Sequence, residues 1–325
     1  MSSTPALDAR PSALDRFRDR WTWTAVVANL VGQVLIIVTG GAVRLTGSGL
    51  GCSTWPECEP GEFTPRFHDA TSIHPFIEFG NRTVSGLLVA VATVVAVLVV
   101  LDRRRPWSYR RLGLVPVVGV LIQAVIGGIT VLVDLHPAIV GGHLLISMAL
   151  VAFSTWLLVR TGEGDGPPVP LVDRTTQNLV RVLGVLTVAV LVLGVVVTGA
   201  GPHSGDEEVG YRFAVDPWEM SKVHAASVWA FVAVLVVVLV LLHRRGVAGT
   251  PWTTGLVLLA VTLAQGAIGY VQLFTGLPIG LVNLHMLGAA VLASTVTFFV
   301  GSLRTRESLS PTSSGFPWSG VRGLS

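Results

Sequence analysis

Eight stretches of almost unbroken apolar residues alternate along the chain with short polar connections: Thr24-Leu45, Ile77-Leu101, Leu112-Val133, Ile139-Val159, Leu179-Ala200, Val223-Leu242, Gly255-Leu273 and Leu281-Leu303. Each is close to the ~20 residues that an α-helix needs to cross the hydrocarbon of a bilayer. The pattern predicts an all-α integral membrane protein with eight transmembrane helices. Composition agrees: 51% of residues are hydrophobic and 13% charged, against about a quarter charged in soluble domains. Met1-Arg20 has no apolar run ahead of its charges and reads as a tail, not a cleaved signal peptide. The Ser/Pro/Gly-rich stretch after Arg304 reads as a second tail.

The distribution of charge sets an expected orientation. Arg16, Arg18 and Arg20, then Arg103-Arg105 with Arg110 and Arg111, then Arg244 and Arg245, then Arg304 and Arg306 fall on one side, which is predicted to be cytoplasmic. The alternate long loops are acidic, with Glu57, Glu59, Glu62 and Asp69 in the first and Asp206, Glu207, Glu208, Asp216 and Glu219 in the third. Both termini are therefore expected in the cytoplasm. The net charge of +3 is spread over several short loops, so it reports topology and excludes a nucleic-acid-binding stripe.

The two cysteines, Cys52 and Cys58, both lie in the first outer loop. A short-loop disulfide suits that side of a membrane. It reads equally as a loop staple or as a redox-active pair. Zinc is disfavoured, because two cysteines without further partners at the usual spacing do not complete four ligands.

The chain also repeats itself. The segment from Gln123 to His143 lies without gaps on that from Gln265 to His285, with Gln, Ile, Gly, Leu, Val and His positions coinciding. Val38-Thr39-Gly40 pairs with Val197-Thr198-Gly199. Four spans separate equivalent positions, so the halves share one orientation and a pseudo-twofold axis should run along the membrane normal. Two four-helix bundles follow. The expected organisation is a tail (1–23), an N-terminal bundle (24–160) with an outer cysteine loop (46–76), a linker (161–178), a C-terminal bundle (179–303) and a tail (304–325).

His224 precedes His285 by 61 residues, and Asn81 precedes His143 by 62. One half thus carries a His pair where the other carries Asn and His, all within the first turns of their helices. Imidazoles on facing helices are a common means of holding haem iron, and Gly127, Gly141, Gly142, Gly269, Gly288 and Ala289 leave room for a flat macrocycle. A lone histidine near a helix end is more often interfacial, but a duplicated frame weakens that alternative. His68, His74, His136, His203 and His243 are read as solvated loop or end residues. Glu78, three residues before Asn81, shares its face. It could pair with Arg82 at the i+4 spacing or serve chemistry as a carboxylate in low dielectric. Arg44 and Arg82 could meet haem propionates or snorkel to the interface.

The segment Gly40-Gly-Ala-Val-Arg-Leu-Thr-Gly-Ser-Gly-Leu-Gly-Cys-Ser-Thr-Trp-Pro-Glu-Cys58, the segment Ile77-Glu-Phe-Gly-Asn-Arg82 and the duplicated Gln-to-His stretches resemble the bacterial haem A synthase family. The resemblance spans all eight helices. It implies an enzyme of cytochrome oxidase biogenesis in the cell membrane that oxidises the C8 methyl of haem O to a formyl group through two hydroxylations and loss of water. It implies haem b on His224 and His285, the substrate haem O on His143, a catalytic Glu78, and a Cys52–Cys58 disulfide that relays electrons. Haem O and membrane lipids are the implied partners, with haem O synthase and oxidase assembly factors as further candidates and a homo-oligomer allowed; the electron acceptor is not specified. The family pattern Glu-x-x-His-Arg has Asn81 at its His position here, which leaves the substrate iron on His143 alone or with water beside Asn81. A di-haem electron-transfer protein of the cytochrome b type is the alternative, and it would be expected to keep both pairs. A prenyltransferase needs acidic clusters on its helices for magnesium pyrophosphate, and a transporter explains neither the cysteine loop nor the repeated histidines.

Overall fold

The structure, a computed structural model, describes residues 13–66, 72–203, 205–206 and 208–307. His68, Asp69, Glu207 and most of both tails lie outside the described residues. The helices are α1 (Ala13–Leu45), α2 (His74–Val100), the one-turn α3 (Trp107–Arg110), α4 (Leu114–Leu132), α5 (Pro137–Gly162), α6 (Arg174–Ala200), α7 (Pro217–Arg244), α8 (Thr250–Phe274) and α9 (Ile279–Ser302). A 3-10 turn, Arg111–Gly113, joins α3 to α4, so the two make one span. All eight apolar spans are long enough to cross a bilayer, where only structures that satisfy their own backbone hydrogen bonds persist. The protein is a multi-pass membrane protein.

Helix starts follow local chemistry. Pro75, Pro137, Pro217 and Pro251 occupy first-turn positions where a missing N–H costs nothing. The Asp173 carboxylate caps α6 on Thr175 and Thr176, and Asp216 caps α7 on Glu219. α1 begins eleven residues before the apolar run does. Its charged first turns are held by Arg104, which bridges Asp15 (2.9 Å) and Asp19, and by Arg18 on Asp102 (3.3 Å). Arg304–Thr305 likewise is not free tail: it pairs antiparallel with Val169–Pro170 of the linker.

Helices α1, α2, α4 and α5 close one ring of neighbours, and α6, α7, α8 and α9 close a second. The rings meet where α5 packs on α9, flanked by α1 on α9 and α5 on α6. Exchange of the two halves maps this join onto itself, as a pseudo-twofold axis requires. Ile37, Met148, Val151, Ala290 and Ala293 form the apolar core of the join, and the Thr155 and Ser294 hydroxyls hydrogen-bond across it at 2.9 Å.

Burial tests the register of the repeat. Leu88, Ala92, Val95, Ala96 and Val99 on α2 are buried, as are Phe231, Leu235, Val238, Leu239 and Leu242, each 143 residues later on α7. The turns before α5 and α9 repeat too: Asp134-Leu135 and Gly276-Leu277 both take positive φ (50° and 55°; 80° and 58°), a region costly for leucine. For α1 and α6 the buried Thr22, Ala25 and Asn29 match Val180, Leu183 and Thr187 at a spacing of 158. That is one less than the Val-Thr-Gly match suggests, and it pairs Gly41 with Gly199.

Candidate functional site

The first cavity, about 360 Å³, lies inside the second ring of helices and has both His224 of α7 and His285 of α9 in its wall. Each ring rests on a glycine of the preceding helix. A Cβ on Gly194 of α6 would stand 3.3 Å from His224 Cε1, and one on Gly269 of α8 would stand 3.2 Å from His285 Cε1. Each glycine lies four residues after a carbonyl beside the same ring, that of Val190 for His224 and of Gln265 for His285. Neither Nδ1 completes a hydrogen bond among the described residues, although both are buried.

Gln265 adds a second restraint. Its Nε2 donates to the His285 carbonyl at 2.6 Å, and its path runs over Gly288, where a Cβ would fall 1.8 Å from Oε1. The other half repeats the contact: Gln123 Nε2 donates to the His143 carbonyl at 2.8 Å, and His143 Cε1 lies over Gly127 at 3.5 Å from an ideal Cβ. The shared Gln therefore has a physical task, to pin the second turn of the helix that carries the histidine.

The second cavity is smaller, about 130 Å³, and has Asn81, His143, Ser85 and Ser147 in its wall. Asn81 Oδ1 accepts from the Thr39 hydroxyl at 2.7 Å. His143 Nδ1 is buried without a hydrogen-bond partner among the described residues. Leu144, Val195, Thr198 and Met286 belong to both cavities, so one layer of side chains separates them.

Glu78 and Arg82 point to the cysteine loop and do not line either cavity. Cys52 and Cys58 form a fully buried disulfide. The Cys52 backbone N–H donates to Glu78 Oε2 at 2.7 Å. Arg82 reaches Glu78 Oε1 through Nε (3.1 Å) and Nη2, and also donates to the carbonyls of Thr54, Pro56 and Glu57. One carboxylate and one guanidinium thus fasten the loop to α2. Trp55 of the same loop lies flat on Gly128 of α4, where a Cβ would come within 2.5 Å of the indole. Arg44 does line the second cavity, yet its donors go to the Thr198 and His203 carbonyls of the other half.

Of the remaining histidines, His74 Nδ1 bonds the Ser48 hydroxyl (2.8 Å) and His203 Nε2 the Leu277 carbonyl (3.1 Å), while His136 packs on Tyr211 and His243 on Trp252. Sequence reasoning missed Arg212, Tyr211, Trp55 and Gly194. For Gly194 the available signal was its place on the apolar face of α6; the loop residues carry no periodicity that could have marked them.

These features define a class: a duplicated, eight-span membrane protein with a histidine-walled cavity in each half and a disulfide loop at one end. The chain belongs to the COX15-CtaA family of cytochrome oxidase assembly proteins, whose profile matches residues 20–202. It is similar to the haem A synthase of Halalkalibacterium halodurans, 26% identical over 291 residues that cover 83% of this chain and 93% of the relative. It is similar also to the haem A synthase of Bacillus cereus strain G9842, 25% identical over 298 residues (86% and 91%), and to that of an Exiguobacterium species, 28% identical over 202 residues (62% of each).

Proposed function

We propose that the protein is a haem A synthase that takes haem O as substrate and oxidises its C8 methyl to a formyl group at the cysteine-loop side of the membrane. The observation that carries this reading is the asymmetry of the duplicated site: one cavity has two histidines in its wall, and its counterpart has one. Two axial imidazoles suit a low-spin haem that stays in place and transfers electrons, whereas a single imidazole leaves one face of the iron open, as suits a haem that is itself the substrate. The similarity to haem A synthases over most of the chain supports the same assignment.

In this reading the C-terminal bundle, residues 179–303, holds haem b between His224 and His285. The residues fit: two half-buried imidazoles border one cavity, glycines 194 and 269 admit their edges, and Nδ1 of each lies buried and unsatisfied. Haem b would supply one-electron redox chemistry there. The N-terminal bundle, residues 24–160, receives haem O on His143. Asn81, an amide with its oxygen engaged by Thr39, is a poor competitor for iron and leaves that face to the substrate or to water.

Glu78 is the catalytic carboxylate of the proposal. It is 5% exposed, stands one helical turn before Asn81 of the second cavity, and in this proposal stabilises positive charge that develops as the methyl group is oxidised. Its hydrogen bond from the Cys52 amide sets it against the disulfide, the only redox-capable protein group described near that end. With water as the oxygen source, each hydroxylation releases two electrons and two protons; the disulfide can accept one such set as it opens to two thiols, and an external two-electron acceptor must reoxidise the thiols before the second hydroxylation. Both termini lie in the cytoplasm, as the arginine distribution directs.

The test is extraction and mass analysis of haems from cells that make haem O and express this chain. Haem A, or hydroxylated haem O, alongside haem b supports the enzyme. Haem b alone, in two equivalents, would establish the electron-transfer alternative instead.

A further inference from the structure

Two guanidiniums border the second cavity, and the functional reading above gives neither a defined partner. Arg44 stands in the last turn of α1; Arg212 comes from the α6–α7 loop, which belongs to the other half of the chain. Arg44 donates through Nε and Nη2 to His203 O (2.8 and 2.6 Å) and through Nη2 to Thr198 O (2.8 Å). Arg212 donates to the carbonyls of Gly201, Pro202, Val209 and Tyr211 at 2.8–3.1 Å. All these acceptors are neutral backbone. Among the described residues neither arginine makes an ion pair with a carboxylate, and the two cations repel each other. Two like charges held together at a half-buried site are stabilised when an anion joins them.

Depth tells what kind of anion. Thr39 of α1 hydrogen-bonds Asn81, which lines the same cavity as His143. Arg44 lies five residues further along the same helix, roughly 7 Å nearer the cysteine-loop end at 1.5 Å per residue. The wall of one cavity therefore holds an imidazole together with a pair of cations, one of them Arg44 at the cysteine-loop end of α1, a set that suits a ligand with a metal centre and an anionic edge.

We infer that Arg44 and Arg212 form a clamp for a macrocyclic ligand with two carboxylates on one edge, and that Arg212, reaching over from the opposite half, fixes which edge faces the cysteine loop. The inference rests on the reading of this cavity as the substrate-porphyrin site. It makes the two halves interdependent: the loop after α6 completes the site of the N-terminal bundle. It also makes the pocket selective for free carboxylates over esters, because planar guanidinium donors match carboxylate oxygens.

Purified wild-type protein, with its resident cofactor in place, is titrated with haemin and with haemin dimethyl ester, and binding is followed by the Soret change; the same is done for Arg212→Gln and Arg212→Lys. The clamp predicts that Arg212→Gln weakens haemin roughly ten- to hundredfold, that Arg212→Lys falls between, and that the ester binds wild type and variants alike. Unchanged haemin affinity in Arg212→Gln overturns the clamp. So does an equal loss for acid and ester, which would make Arg212 a loop-folding residue. If wild type shows no saturable second site, or one indifferent to His143→Ala, the porphyrin reading of the cavity fails and the clamp fails with it.

Discussion

The backbone amide of Cys52 donates to the Glu78 carboxylate at 2.7 Å, so the disulfide loop and the buried acid of α2 form one unit. A carboxylate 5% exposed in an apolar helix would be costly by itself. Here Arg82 and the Cys52 amide offset that cost, and the same contacts place a redox-capable pair next to the acid. Glu78 thus realises the i+4 ion pair with Arg82 and keeps an oxygen, Oε2, directed to the loop.

Glu78→Gln is expected to abolish haem A formation while haem b is retained. The amide oxygen can still accept from Cys52, and Arg82 keeps the carbonyls of Thr54, Pro56 and Glu57, so the loop should hold. What is lost is negative charge, worth ~10²-fold or more in rate when it acts mainly in the transition state. Haem A content is measured in cells that make haem O and carry only this variant. Near-normal haem A would assign Glu78 to loop attachment alone.

Cys52 and Cys58 are expected to resist thiol labelling in intact cells until a reductant is added, because both are fully buried and bonded to each other. A double serine variant should then make less haem A without losing haem b. Labelling without reductant would remove the electron-relay role; full activity of the serine variant would leave the pair a dispensable staple.

Asp102, just beyond α2, is predicted to give the fold a pH-dependent anchor at the tail side. Burial raises its pKa, but hydrogen bonds and charge from Arg104, with Arg18 behind it, outweigh burial and leave it below the ordinary carboxylate value. A lowered native pKa means that the stabilisation is complete above about pH 4 and fades as the pH falls through the native value. Asp102→Asn should therefore cost stability at neutral pH, by about 1 kcal/mol since Arg104 and Arg18 are themselves 38% and 30% exposed. The gap in thermal midpoint between wild type and variant should close on acidification. A gap independent of pH would mean that packing, not charge, is lost.

Most of the fold was legible because a bilayer demands long apolar runs, and the duplication was legible because Gln123 to His143 repeats without a gap. Helix ends were less so: charged turns such as Ala13–Arg20 become helical only through partners far along the chain, here Arg104. The α1–α6 register slipped by one because Gly40-Gly41 offers two glycines to match with Gly199, and only burial selects Gly41. In the site, His224, His285 and His143 stood out by type and spacing. Gly194 and Arg212 did not, since one acts by lacking a side chain and the other through a loop whose path the sequence does not specify.

The glycine beneath each histidine gives the sharpest test of the paired site. His224→Ala or His285→Ala should remove the low-spin haem b spectrum outright, because bis-imidazole ligation needs both rings, but such variants leave open whether the cavity geometry matters. Gly269→Ala keeps every ligand and places a Cβ 3.2 Å from His285 Cε1; Gly194→Ala does the same at 3.3 Å from His224. Neither ring can give way without turning, because each stands on a helix pinned by its neighbours, and for His285 the Gln265 bond fixes the turn itself. Each alanine is therefore expected to weaken haem b retention by about 10- to 100-fold, the usual cost of a disturbed ligand orientation, and to shift the low-spin spectrum. Gly184→Ala is the control, since it lies on α6 with open space where its Cβ would go, and it should leave haem b unchanged. Normal haem b content and spectrum in both Gly194→Ala and Gly269→Ala would show that the rings are not held as the structure has them, even if His224 and His285 prove to be the ligands.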